Sequence, residues 1–309
     1  MAASRRPLSG ARVDLEAGPY RASIASLGAS LRVLQAGGRD LVLPYGVEEL
    51  RPAYRGTTLV PWPNRIVDGR YTFAGEEQQL PLTEPARAHA LHGLAVWLDY
   101  AVAERAVDRV LLTATVEPQT GYPHRLDIAV EFRLDEHEGL TQTVTATNSG
   151  DAPAPYGTGP HPYLVAGPGT VDDWTLELPA AEVLAVTPER LLPIGVSEVA
   201  SEDGGVFDFR SARVIGDTFI DHAFTGLERD AEGVATVTVT SPEGTGARMT
   251  FGEECRWVQV HTADDSARAG LAVEPMTCPP DAFNSGIDLL VIAPGESATA
   301  SWTIAATEL

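Results

Sequence analysis

Four short stretches of this chain gather side chains able to move protons or hold a polar ligand. The first is Val60-Pro-Trp-Pro-Asn-Arg-Ile66, where two prolines stiffen the backbone around Trp62, Asn64 and Arg65. Alone, it reads either as part of a ligand site or as a rigid crossover whose arginine pairs with a surface carboxylate. The second is His89-Ala-Leu-His92-Gly93, with Trp97 close behind. The H-x-x-H spacing raises metal binding, but a structural zinc needs roughly four ligands and the sequence places no partners nearby, so no metal is expected. The third is Tyr156-Gly-Thr-Gly-Pro-His161-Pro-Tyr163, in which His161 sits between two prolines with little backbone freedom. An imidazole so aimed, with an ordinary pKa of about 6.5, suits proton transfer near neutrality. The alternative is a turn whose imidazole stacks on Tyr163. In the fourth stretch, Leu271 to Gly286, Glu274 ends an apolar run and Pro275 biases it toward extended backbone. A carboxyl at the mouth of a sheet in partly apolar surroundings has a raised pKa, useful to a base. The alternative is an ion pair with an arginine at the strand end. Asp221, between apolar residues in Phe219-Ile-Asp-His-Ala-Phe224, is where an acid needs a hydrogen-bond partner. Together these residues suit acid–base work on a polyhydroxylated ligand, with indole rings covering the C–H face of a sugar.

The elements that must hold them are strands. Arg125 to Leu134 places Leu126, Ile128, Val130, Phe132 and Leu134 at every second position, the pattern of a strand with one buried face. Val234–Thr240 repeats it and returns through Ser-Pro-Glu-Gly-Thr-Gly to Ala247–Phe251 as a hairpin. Turn chemistry marks Gly37-Gly-Arg-Asp40 and Asn148-Ser-Gly150, and Asp288–Ile292 with Ala298–Ile304 reads as a last pair of strands. Roughly two dozen short strands are expected. No linker divides the chain and no fixed-period repeat occurs, so residues 1–309 are read as one large all-β antiparallel sandwich domain with few short helices. Residues 1–10 are expected to form a loose tail.

Composition narrows the chemistry. All 22 basic residues are arginine, so no lysine can serve a phosphate-binding P-loop, a pyridoxal aldimine or a Schiff-base aldolase. A formal charge of −21 argues against a nucleic-acid partner. The two cysteines, Cys255 and Cys278, are too few for a disulfide framework and fit a reducing compartment. The amino-terminal Arg5-Arg6 pair has no apolar stretch behind it, and Leu289–Ala293 is too short to span a bilayer. The expectation is a soluble cytoplasmic protein with no membrane partner, a monomer or homodimer.

The order of the motifs is distinctive. Asn64-Arg65-Ile66, Leu91-His92-Gly93, Gly159-Pro-His161-Pro-Tyr163, Asp221-His-Ala-Phe224, Val273-Glu-Pro-Met-Thr277 and Pro280-Asp-Ala-Phe-Asn284 closely resemble the aldose 1-epimerase (galactose mutarotase) family over most of the chain. The resemblance implies a large antiparallel β-supersandwich. It also implies a cofactor-free interconversion of the α and β anomers of a free sugar. Glu274 matches the family's general base at the C1 hydroxyl, and His161 its general acid at the ring oxygen. Arg65, His92 and Asp221 match residues that hold sugar oxygens, with Asn64 and Trp62 beside them.

Departures from the family pattern concern the substrate. Gly93-Leu-Ala-Val-Trp97 replaces a run often carrying a double glycine, and Leu164-Val165 replaces a Phe-Asn pair. Thr83-Glu84 stands where many members carry an asparagine. Related epimerases of hexose 6-phosphates share the fold and use cationic residues for the phosphate; Arg55, Arg65 and Arg87 are the candidates here. A non-catalytic sugar-binding sandwich is a further alternative. The Trp62-Pro-Asn-Arg65 segment resembles the free-sugar branch, and an acidic surface offers a sugar phosphate no long-range attraction. A neutral free aldohexose is the expected substrate.

Overall fold

Strand alternation decides this architecture. The computed structural model describes residues 6–308. A nine-stranded antiparallel sheet runs Ala101–Arg105, Arg109–Val116, Leu126–Asp135, Gly139–Asn148, Ser297–Ala306, Gly246–Phe251, Ala235–Thr240, Thr175–Glu177 and Arg213–Val214. A six-stranded sheet runs Tyr163–Leu164, Leu271–Met276, Trp257–His261, Asp221–Leu227, Ala180–Val186 and Pro193–Glu198. A four-stranded sheet spans Arg12–Asp40, and the α-helix among the described residues is a single turn at Ala282–Ser285. The result is a large antiparallel β-supersandwich.

Leu126, Ile128, Val130, Phe132 and Leu134 are all buried, as the period-two pattern requires. They join Val237 and Val239 of the large sheet and Val183, Phe224, Val258, Val260 and Val273 of the six-stranded sheet in one continuous core. Each such side chain contributes roughly 1.5–3 kcal/mol on removal from water. The Ala235–Thr240 and Gly246–Phe251 hairpin forms in the expected register. Gly37 and Gly38 take the positive φ values that their turn demands.

The two expected carboxy-terminal strands both form, but in different sheets. Leu290–Ile292 pairs with Ala154–Tyr156, whereas Ser297–Ala306 pairs with Gly139–Asn148 and Gly246–Phe251. Alternation defines a strand but not its neighbour, and Pro294-Gly295 acts here as a crossing between sheets. Of the expected tail, residues 1–5 lie outside the described residues. Ser9 donates its backbone N–H to the Val47 carbonyl, and Arg6 pairs with Asp99 at 2.6 Å.

A buried polar link ties the large sheet to the segment before His161. Gln142 accepts from the Trp302 indole at 3.1 Å and donates to the Thr58 hydroxyl at 2.7 Å. The strand Thr58–Leu59 in turn pairs with Gly159–Pro160. Beside it, Gly93 (φ +79°) lies so close to Val60 that an added Cβ would stand 2.1 Å from the Val60 carbonyl oxygen. Only glycine fits that approach. Gly93→Ala is expected to destabilise the fold by about 2 kcal/mol or more, read as a lowered urea midpoint. An unchanged midpoint would contradict this packing.

Candidate active site

A cavity of about 570 Å³ opens where the six-stranded sheet meets the loops carrying Tyr54, Asn64, Glu84 and His92. Its floor is set by register. Glu274 lies opposite Gln259 on the neighbouring strand, so the two side chains share one face. Asp221 stands on the next strand, and the Gln259 amide donates to its Oδ1 at 2.6 Å. Pro275 follows Glu274 within the strand Leu271–Met276, whose residues are all buried.

His161 is held from both sides. Its N–H donates to the Thr57 carbonyl, and its own carbonyl accepts from the Gly56 N–H. Its Nε2 lies 3.4 Å from Glu274 Oε1. The ring also stacks on Tyr163, with centroids 5.2 Å apart, so the aimed histidine and the stacked one are the same residue. His92 packs edge-on to His161 at 4.9 Å and to Tyr54 at 4.7 Å. Tyr54, Asn64 and His92 all carry positive φ, a clustering of backbone strain that accompanies functional sites. The Asn64 carbonyl receives the His92 N–H, which fixes the two loops together.

Arg65 is gripped by carboxylates. Its Nε and Nη2 donate to the two oxygens of Glu84 at 2.8 and 3.2 Å, and Nη2 lies 3.5 Å from Asp221. Glu84 also accepts from Arg87 at 2.7 Å. Burial works against the Arg65 charge, yet Asp221 and Glu84 more than offset it and push its pKa up. Burial likewise opposes the Glu84 charge, and the two arginines outweigh it and pull its pKa down.

The Glu274–His161 pair has the opposite character. Burial, reinforced by the Asp221 charge and opposed by Arg65, raises the Glu274 carboxyl well above the usual carboxylate range. Burial, with the charges of His261, Arg51 and Arg65, pulls the His161 imidazole down to about 3. His92 is lowered by burial and by His161, Arg65 and Arg51. Arg51 is itself buried, bonded to the carbonyls of Leu27 and Val96 and lying 4.4 Å over the Trp97 ring. Glu274 Oε2, His161 Nδ1, His92 Nδ1 and Gln259 Oε1 are buried with no hydrogen-bond partner in the protein. Buried polar atoms rarely stay unsatisfied, so this cluster is a concentration of unspent hydrogen-bonding capacity beside the cavity.

Of the residues singled out in the sequence, Glu274, His161, Arg65, His92, Asp221 and Asn64 converge on the cavity. Trp62 does not. It is buried against Tyr122 and Phe283, its indole N–H donating to the Ala90 carbonyl at 3.3 Å. The two prolines turn its ring into the core rather than toward the cavity. His89 also departs from His92, its Nε2 meeting the Arg190 carbonyl at 2.7 Å. Among the described residues no group of His, Cys, Asp and Glu is placed to hold a metal ion. Sequence reasoning missed Gln259 and Tyr54. A glutamine amid the apolar run Trp257–His261 was a readable signal, whereas Tyr54 gave none.

The β-supersandwich, with a cavity floored by the close Glu274–His161 pair, places the protein in the mutarotase-like fold class. The family model for aldose 1-epimerase matches residues 12–305, and the chain belongs to that family. It is 41% identical to the uncharacterized protein YihR of Escherichia coli over 288 residues, covering 93% of this chain and 91% of that one. It is 27% identical to rat galactose mutarotase over 242 residues, covering 71% and 66% of the two chains. In shape it is similar to the GalM/aldose epimerase homologue of C. elegans, with a TM-score of 0.84, 20% identity and coverage of 96% and 99%.

Because Trp62 fills core space, Trp62→Ala is expected to destabilise the protein by about 3–5 kcal/mol. Equilibrium denaturation measures this directly. A loss below about 1 kcal/mol would show that the indole is not part of the packing.

Proposed function

We propose that this protein is a mutarotase acting on a free, uncharged aldohexose, with Glu274 and His161 as its proton-transfer pair. The observation that carries this reading is the 3.4 Å approach of His161 Nε2 to Glu274 Oε1 on the floor of the cavity, with the other atom of each group unpartnered. Glu274 takes the proton from the C1 hydroxyl while His161 gives one to the ring oxygen. The C1–O5 bond breaks and an open-chain aldehyde forms. Rotation about C1–C2 presents the other carbonyl face, O5 re-adds, and both protons return. Arg65, Asp221, His92 and Asn64 hold the remaining sugar oxygens.

The electrostatics decide which form of the pair meets each form of the sugar. Opening converts a carboxylate–imidazolium pair into a carboxylic acid and a neutral imidazole, two forms of equal net charge. A buried site therefore never has to accommodate a new charge during the step. The raised carboxyl and lowered imidazole favour the neutral form, which is the partner of the open-chain sugar. The neutral-substrate reading is supported by charge balance, since Arg65 and Arg87 are offset by Glu84 and Asp221. Arg55 is not among the cavity-lining residues; it donates to the Pro44 carbonyl.

Polarimetry on freshly dissolved neutral, acidic and phosphorylated aldoses, in weakly buffered solution, tests the reaction. Acceleration with a neutral hexose is expected, and no acceleration with any sugar would end the proposal. Glu274→Gln and His161→Asn are each expected to lower the rate by roughly 10²–10⁴-fold. Binding without catalysis in the wild type would instead favour a sugar-binding protein.

The pH profile follows from the pair sharing one transferable proton. Activity is lost at the alkaline end, as Glu274 gives that proton up, and at the acid end, as His161 takes a second near its value of about 3. The profile of kcat/KM is therefore expected to be flat through weak acid. Asp221 raises the Glu274 pKa, so residual activity in Asp221→Asn should lose its alkaline limb at lower pH. An alkaline limb that stays put or moves upward would refute the coupling.

A further inference from the structure

Glu84 stands apart from the proton-transfer pair, yet it is the most heavily engaged carboxylate of the cavity wall. Its two oxygens accept from Arg65 Nε and Nη2, and Oε1 also accepts from Arg87 Nη1 at 2.7 Å. The Arg65 and Glu84 side chains are nearly buried, while Arg87 is 35% exposed at the mouth. On this wall two guanidinium groups face two carboxylates, Glu84 and Asp221. Without Glu84 the balance would be one uncompensated positive charge. Arg87 would then keep no carboxylate partner among the described residues, and Arg65 would be left with the longer contact of 3.5 Å to Asp221.

We infer that Glu84 is a specificity-determining residue, which orients Arg65 toward neutral hydroxyls and cancels the cationic charge that would otherwise capture an anionic sugar. The inference rests on the mutarotase reading of the site. Its physical basis is twofold. A bidentate carboxylate fixes the plane of a guanidinium, leaving Arg65 Nη1, whose contact is Asn64 Oδ1 at 3.4 Å, as the donor available to a substrate oxygen. A carboxylate already bonded to both arginines also repels a phosphate or uronate carboxylate approaching the same donors.

The test compares wild type, Glu84→Gln and Glu84→Asp on D-glucose, D-galactose, their 6-phosphates and their uronates, by polarimetry or NMR exchange at low ionic strength. The wild type is expected to prefer the neutral sugars. Glu84→Gln should shift the ratio of kcat/KM toward the anionic sugars by about tenfold or more, and added salt should shrink the shift. Glu84→Asp, which keeps the charge but shortens the reach, should retain the neutral preference and lose mainly in KM. An unchanged ratio in Glu84→Gln with neutral activity still measurable overturns the inference alone; a wild-type preference for anionic sugars overturns it together with the uncharged-substrate part of the proposed function and leaves only the mutarotase chemistry standing. No activity on any sugar in the wild type overturns both. A purely structural Glu84 would lower all rates together and leave the ratio alone, which also counts against the inference.

Discussion

The whole site depends on keeping a carboxyl group buried on an inner strand without giving it a cation of its own. Glu274 is 2% exposed; one oxygen faces His161 and the other has no protein partner. Arg65, which lines the same cavity, turns Nε and Nη2 to Glu84 and Asp221 instead. Had Arg65 reached Glu274 directly, the carboxyl would be held ionised with a depressed pKa and a weaker hold on a proton. The arrangement withholds that pairing. It leaves the carboxyl raised, and raises it further through the Asp221 charge one strand away. Folding bears this desolvation, and the continuous core beneath the sheet offsets it.

Such a group must not relax toward a better partner, so its surroundings are rigid. Glu274 and Gln259 are fixed as cross-strand neighbours, while His161 is held by backbone hydrogen bonds on both sides of its peptide. The opposite wall is built from loops, and there the stiffness comes from backbone that few residues adopt. Asn64, His92 and Tyr54 sit at positive φ, and the tight approach of Gly93 to Val60 locks the His92 loop in place. Sheet register places Glu274, and loop strain places the aromatic rings around His161.

How much of this is legible in the sequence depends on the range of the interaction. Alternation is local, so the strand Leu126–Asp135 and the hairpin from Ala235 to Phe251 follow from spacing alone. Strand partners are not local, which is why Leu290–Ile292 and Ser297–Ala306 look adjacent in sequence and lie in different sheets. The site shows the same division. Glu274, His161, Arg65, His92 and Asp221 are recognisable because each sits in a stiff or apolar context, and five such contexts in a known order are specific. Trp62 misleads because two prolines aim a ring without revealing its direction, and here the direction is Tyr122 and Phe283. Glu84 is visible in the sequence as a substitution in a loop, but its bonds to Arg65 and Arg87 emerge only when the strands Arg65–Val67 and His89–Leu91 pair.

The lysine-free composition acquires a structural meaning at this point. Arg65 satisfies three demands at once: a planar fork toward Glu84, a side contact to Asp221 and a remaining donor toward the cavity. An ammonium group has no plane to fix and would settle against one carboxylate, freeing the other to repel Glu274. Arg51 makes a related case, since its guanidinium is buried on the Leu27 and Val96 carbonyls and stacked on Trp97, with the Ser30 hydroxyl as a further acceptor. A buried lysine there would shed its proton; the guanidinium keeps its charge despite burial, and that charge helps hold His161 and His92 neutral. The acidic surplus and the buried arginines thus act at different ranges: the first sets the long-range field, whereas Arg51 and Arg65 set the proton affinities beside the cavity.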